Sequence, residues 1–196
     1  MPSFWRAAFS VSILFCASFV LEGCGRYGKP LPPEYLAPAS IKELEVTSAA
    51  DGVKFSWQSP DHDRRGKDLK TIDGYKVLRK EVALSDSSEL EKAGDFSVVA
   101  TVGDTHLVEL EKQKQELLAQ EKPARRLKPE AESTTFSFTD SSVVSGKSYL
   151  YRIMPFNQGG VLGQSKQTVR VVYSGANTQI SILPSSHDGI DSEDLF

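Results

Sequence analysis

The stretch Val144-Ser145-Gly146-Lys147-Ser148-Tyr149-Leu150-Tyr151-Arg152-Ile153, followed by Asn157-Gln158-Gly159-Gly160, decides the fold. Turn-forming residues stand on both sides of the apolar run Tyr149 to Met154, which bounds it as a short strand rather than part of a helix. Outward from it the same pattern repeats. Ile41, Leu44 and Val46 mark a first strand behind Pro38. Val53, Phe55 and Trp57 alternate strictly with Lys54 and Ser56 in a second, entered through the hairpin signal Asp51-Gly52. Pro60 ends it, and Asp61 to Lys70 is a polar loop. Ile72, Tyr75, Val77 and Arg79 carry a third strand, Phe96 to Val102 a fourth, and Thr135 to Thr139 a fifth with Phe136 and Phe138 alternating. Tyr149 to Met154 is the sixth and Gln167 to Tyr173 the seventh. Short strands split by turns at this spacing predict an all-β sandwich.

The order and spacing of these segments resemble a fibronectin type III domain, an immunoglobulin-like β-sandwich, over about residues 38 to 173. The residues that carry the resemblance are Pro38 with Leu44-Glu45-Val46, Val53-Lys54-Phe55-Ser56-Trp57, Ile72-Asp73-Gly74-Tyr75-Lys76-Val77, and above all Val144 to Ile153. The resemblance implies that Tyr149 is the corner tyrosine, its ring buried and its hydroxyl bonded to upstream backbone. It also implies that Trp57 is the core tryptophan of the second strand. Ser145 stands where the family usually has proline, and the middle of the domain is expanded. Trp57, Tyr75 and Tyr149, with Phe136 and Phe138, are expected in the core.

The N-terminus reads as an address. Arg6 precedes a run from Ala7 to Leu21 without a charge, the length of a signal-peptide core and shorter than the ~20 residues of a spanning helix. Leu21-Glu22-Gly23-Cys24 follows and resembles the lipobox of bacterial lipoproteins; Glu22 departs from the usual small or uncharged residue. The resemblance implies cleavage before Cys24 and a diacylglyceryl group on its sulfur, with acyl chains such as palmitate holding the chain to a membrane. One chain binds marginally and two or more hold firmly, at about 0.8 kcal/mol per buried CH₂. A plain secretory signal, or an uncleaved anchor, is the competing reading. Gly25 after the cysteine resembles the outer-membrane sorting pattern. The only other cysteine, Cys16, lies in the apolar run, so a cleaved chain has no intrachain disulfide.

Gly25 to Ala39, with Pro30, Pro32, Pro33 and Pro38, is expected to be a tether in polyproline II, at ~3.1 Å per residue. Its opening, Cys24 to Pro33, also resembles that of the very small lipoproteins linked to assembly of the lipopolysaccharide translocon, although a generic proline spacer reads the same way. The domain is expected over 40–173 and a disordered acidic tail over 174–196, where Asp188, Asp191, Glu193 and Asp194 fall. Ile180 and Ile182 are positioned to dock locally.

Between the fourth and fifth strands, 104–132 is a helical insertion. Asp104 or Thr105 caps a helix that runs towards Lys122, and Pro123 stops it. Leu107, Leu110, Leu117 and Leu118 fall near one narrow face, interrupted by Lys114. Arg125 and Arg126, with Lys128, make a basic cluster. Leu107, Leu110, Leu117, Arg125 and Arg126 are therefore the candidate partner contacts; the competing reading is that the leucines cover a sheet edge and the cluster is a solvated loop.

Of the 196 residues 39% are hydrophobic and the net charge is -3, a balance that gives no reason to expect nucleic-acid binding. His62, His106 and His187 form no catalytic set with other residues in the sequence, and no nucleophile, zinc-protease or phosphate-loop motif occurs. Asp61-His62-Asp63 has metal-capable side chains, but adjacent residues rarely converge on one ion. No enzyme activity, metal or cofactor is expected. The expectation is a membrane-anchored lipoprotein whose sandwich binds an envelope protein or glycan; the alternative is a structural or assembly lipoprotein of an outer-membrane complex.

Overall fold

The computed structural model describes residues 30–49, 51–83, 96–123, 127–129 and 131–185. The chain divides into Met1–Leu31 and Pro32–Phe196, and the sandwich lies in the second. The signal-like segment, Cys24, Arg125, Arg126 and residues 186–196 lie outside the described residues.

Among the described residues the strands are β1 (Lys42–Ala49), β2 (Gly52–Gln58), β3 (Gly74–Val82), β4 (Ser97–Gly103), β5 (Thr135–Asp140), β6 (Ser148–Phe156), β7 (Gln167–Val172) and β8 (Gln179–Pro184), and α1 is His106–Ala119. They form a three-stranded sheet, β1-β2-β5, and a five-stranded sheet, β4-β3-β6-β7-β8, with every pairing antiparallel. The first, second and fifth strands in one sheet, with the fourth, third, sixth and seventh in the other, is the strand order of an immunoglobulin-like, fibronectin type III-like sandwich.

The alternation along each strand decides what lies between the sheets. Val53, Phe55 and Trp57 of β2 face Tyr75 and Val77 of β3, Tyr149, Tyr151 and Ile153 of β6, and Val169 and Val171 of β7; all are buried. Aromatic rings knit the layers together. Phe55 and Tyr151 have centroids 4.7 Å apart, Trp57 meets Tyr75 edge-on at 5.4 Å, and Phe136 lies 4.9 Å from Tyr75. Such pairs each add about 0.5–1.5 kcal/mol beyond the area they bury. Trp57, Tyr75 and Tyr149 are 1%, 0% and 2% exposed, whereas Phe136 and Phe138 are half-buried at the margin. The Tyr149 hydroxyl accepts the backbone N–H of Val144 at 3.0 Å, which ties the turn before β6 to the strand it feeds.

Three expectations need correction. The segment after Tyr173 does not begin a disordered tail. A short 3-10 turn, Gly175–Asn177, reverses the chain, and β8 adds an eighth strand in unbroken register with β7. It pairs there because Ile180 packs against the core and β7 would otherwise present an open edge. The tether likewise stops short of Ala39. Pro33–Leu36 is a 3-10 helix, whose first positions suit the fixed φ of proline, and Ala37 and Pro38 are buried as part of the domain. Ile72 precedes the third strand instead of lying in it, since Asp73 N–H turns to Phe156 O at 2.9 Å.

Candidate binding site at one pole

Three connections meet at the pole where β3 begins: the loop from β2 to β3, the helix-bearing segment after β4, and the turn from β6 to β7. Pro38 and its neighbours close it. Ala39 N–H donates to His62 O at 2.9 Å, Arg64 N–H to Ala37 O at 3.0 Å, and the Asn157 side chain to Leu36 O at 3.3 Å. Gly163 approaches Pro38 so closely that a Cβ there would lie 2.2 Å from the Pro38 carbonyl oxygen.

The segment Asp61-His62-Asp63 is structural at this pole. Asp63 is buried and accepts Arg65 Nη2 at 2.7 Å and the backbone N–H groups of Arg65 and Lys67 at 2.9 and 3.0 Å. Burial pushes its carboxyl up, but these hydrogen bonds outweigh burial and hold it below its ordinary range. Asp61 pairs with Lys42, and His62 is exposed.

Asp104, at the end of β4, organises the start of α1. Its Oδ1 accepts the backbone N–H of His106 at 3.0 Å and lies 2.6 Å from His106 Nδ1; its Oδ2 accepts the hydroxyl of Tyr75 at 2.6 Å and that of Ser59 at 3.4 Å. A carboxylate at a helix N-terminus satisfies an open N–H and meets the positive end of the dipole. Asp104 and His106 are both buried. Burial, and then the facing carboxylate, push the Tyr75 hydroxyl far above its ordinary range, so it remains a donor. Thr105 holds the N-cap position without a side-chain cap hydrogen bond, its hydroxyl donating to Glu109, and Asp104 just before it accepts the first helical N–H.

Beside this anchor an open groove of about 390 Å³ runs between α1 and the loops. Ile72 and Leu107 line it along with Val108, which is 65% exposed; Lys70, Asp73 and Lys112 supply charges of both signs, and Gln158 closes it from the β6–β7 turn. On the other side of α1, His106, Glu109 and Leu110 line a smaller hollow of about 150 Å³ with Pro129 and Ser133. The expected leucines therefore separate. Leu107 packs against the core and edges the groove, Leu110 lines the hollow, Leu117 is half-buried, and Leu118 is 63% exposed. The sequence named Leu107 for this site but not Lys70, Asp73 or Gln158, since only the meeting of three connections brings them together. The groove sets apolar surface beside charged side chains of both signs.

No family model matches the chain, and no curated protein matches it. Among solved structures, one similar chain is the twitchin kinase region from C. elegans (Fn31-NL-kin-CRD-Ig26), at 14% identity and TM-score 0.40 over 72% of this chain; the chain spans 18% of its length. Another is the third fibronectin III domain of human KIAA0343 protein, at 8% identity and TM-score 0.36, over 84% of this chain and 97% of that one. The fibronectin type III-like class itself rests on the strand order.

Proposed function

We propose that the protein is a lipoprotein of the bacterial cell envelope, anchored through Cys24, which presents a fibronectin type III-like interaction module to an envelope protein or glycan. The observation that carries this reading is Leu21-Glu22-Gly23-Cys24 placed directly after an uncharged apolar run. The groove beside α1 supports the binding half. It lies at a loop-bearing end of a sandwich, where such folds place their recognition loops, and it offers both apolar surface and charge. Gly25 favours the outer membrane as the destination.

The test has two arms. Metabolic labelling with a radiolabelled fatty acid should mark the protein and not its Cys24→Ala variant, which should also leave the membrane fraction. Unchanged label in the variant would overturn the anchor. A photo-crosslinking amino acid at Val108 should capture one discrete partner in living cells, and Lys112→Glu, at an exposed groove position, should abolish that product while the chain stays folded. A crosslink indifferent to Lys112→Glu would remove the groove from the reading.

A further inference from the structure

Each sheet ends in two edge strands, and an open edge invites pairing with another chain unless a bulge, a charge or a covering element blunts it. β1 is bulged between Lys42 and Glu45, with Glu43 at φ 47 and charged residues at all three positions. β4 is bulged where the register steps from Val77 to Leu78 and leaves Val99 over, and β5 lies against β4. β8 differs. Gln179-Ile180-Ser181-Ile182-Leu183-Pro184 carries no charge and runs in unbroken register with β7. Four of its six residues are exposed, Ile182 by 42%.

The register decides which of its backbone groups point away from the sheet. Ser185 N–H donates to Lys166 O, so these two form a bonded pair, and in an antiparallel ladder bonded and non-bonded pairs alternate. Leu183, Ser181 and Gln179 therefore bond β7. Ile180 and Ile182, opposite Val171 and Val169, turn their N–H and C=O groups to the open side, where β8 ends the sheet. Pro184 falls among the non-bonded positions, so its missing N–H costs the ladder nothing. Val169 and Val171 are core residues, which places Ile180 and Ile182 on the inner side of the sheet. Ile180 packs against the core, whereas Ile182 lies beyond its cover.

We propose that β8 pairs antiparallel with β8 of a second copy, about a two-fold axis through Ser181, so that two five-stranded sheets become one continuous sheet. In this register Ile180 exchanges both backbone hydrogen bonds with Ile182 of the partner subunit, and Ile182 does the same with the partner's Ile180. Three arguments select the occupant. A row of alternating N–H and C=O groups is satisfied by an extended strand. The edge is complementary to itself: it is uncharged, so two copies meet without repulsion, and the pairing gathers four isoleucines on the core side, covering Ile182. The contact is isologous and closed, so it uses up both open edges and does not grow into a fibre. Six residues span about 20 Å, which gives less than the ~800 Å² per partner of a standard interface, so the dimer is of the weak, exchanging kind. The proposal depends on neither the anchor nor the groove.

The experiment oxidises the full chain, in a detergent with neutral headgroups, with copper phenanthroline and reads disulfide-linked dimer on non-reducing gels. Ser181 and the partner's Ser181 would be a directly opposed, non-bonded pair with Cα atoms about 4.5 Å apart, within disulfide reach. Ser181→Cys should therefore crosslink about tenfold faster than Ser137→Cys, at an exposed position on β5, and than wild type, in which Cys16 and Cys24 set the background. Gln179→Cys mixed with Leu183→Cys should give the mixed dimer, and neither alone should crosslink, because the proposed register opposes these two positions. Ile182→Lys should abolish the Ser181→Cys crosslink with an unchanged urea midpoint, since a lysine blunts the edge at an exposed position. Equal rates for Ser181→Cys and Ser137→Cys, or a crosslink indifferent to Ile182→Lys, would overturn the proposal. So would a dimer that forms only after residues 186–196 are removed, which would make the chain's own end the occupant of the edge. A photo-crosslinking amino acid at Ser181 that captures another protein in living cells, and no second copy, would overturn it as well. Loss of fatty-acid label from wild type would refute the anchor and leave this result standing.

Discussion

The hydroxyl of Tyr75 and the carboxylate of Asp104 meet at 2.6 Å inside the sandwich, 29 residues apart in sequence. One residue belongs to a core strand and the other to the start of the insertion. The pair therefore fastens the helix to the start of β3, next to the edge of the five-stranded sheet, and Asp104 divides its two oxygens between strand and helix.

Removing either partner should be costly. Tyr75→Phe keeps the ring packing but leaves a buried carboxylate oxygen short of a donor, so about 1–3 kcal/mol of stability is expected to be lost. Asp104→Ala should cost a similar amount and loosen α1. Urea unfolding of both variants, with hydrogen exchange over His106 to Ala119, checks this; unaltered exchange in Asp104→Ala would show that α1 is held by other contacts.

Tyr149→Phe deletes the acceptor of the Val144 N–H while the ring stays in place. The expected loss is again about 1–3 kcal/mol. A neutral urea midpoint would mean that the turn before β6 is fixed without the tyrosine.

A third buried carboxylate, Asp140, gives a pH dependence. Burial pushes Asp140 up, but hydrogen bonds from Ser142, Tyr151 and Arg79 outweigh it and hold the group below its ordinary value of 3.8. A depressed folded value stabilises the fold above the unfolded pKa, and this contribution disappears as the pH falls through the folded one. Wild-type stability should therefore decline below about pH 4, and Asp140→Asn should be less stable at neutral pH with a flatter acid limb. Urea midpoints measured across that range test the sign.

The leucines of α1 should differ. Leu107 packs against the core and Leu117 is only half-buried. Leu107→Ser is therefore expected to lower the melting temperature more than Leu117→Ser, by several degrees. Calorimetry of the two variants decides it, and equal shifts would mean that the whole helix, rather than its first turn, is structural.

Gly163→Ala should strain the pole, because its Cβ would meet the Pro38 oxygen at 2.2 Å and Pro155 Cγ at 2.9 Å. Overpacking of this kind costs about 1–3 kcal/mol. Thermal unfolding measures it, and protease cleavage near Ala37 should accelerate as Pro38 is displaced.

Much of the sandwich was legible because β2 and β6 carry their alternation openly: Val53, Phe55 and Trp57 cannot all face solvent, and turn residues bracket Tyr149 to Met154. The helix was legible from its caps. What was hidden depended on pairing across distance. Gln179 to Pro184 reads as polar chain until β7 supplies its partner, and Ala37-Pro38 reads as spacer until the loop at Asp63 and the turn at Gly163 enclose it. The open backbone groups of Ile180 and Ile182 are hidden in the same way, since only the register with β7 decides which groups point away from it.

The eighth strand changes what the module can be built into. After seven strands the chain would leave at the pole opposite its entry, as links in a string of beads must. β8 carries it back instead: Ser185 N–H donates to Lys166 O at 2.8 Å, three positions beyond the Gly163 that touches Pro38. Entry and exit thus share one doorway. Both described ends of the sandwich therefore lie at the pole that carries the groove, and the turns at Asp51-Gly52 and Ser145-Gly146 mark the opposite pole.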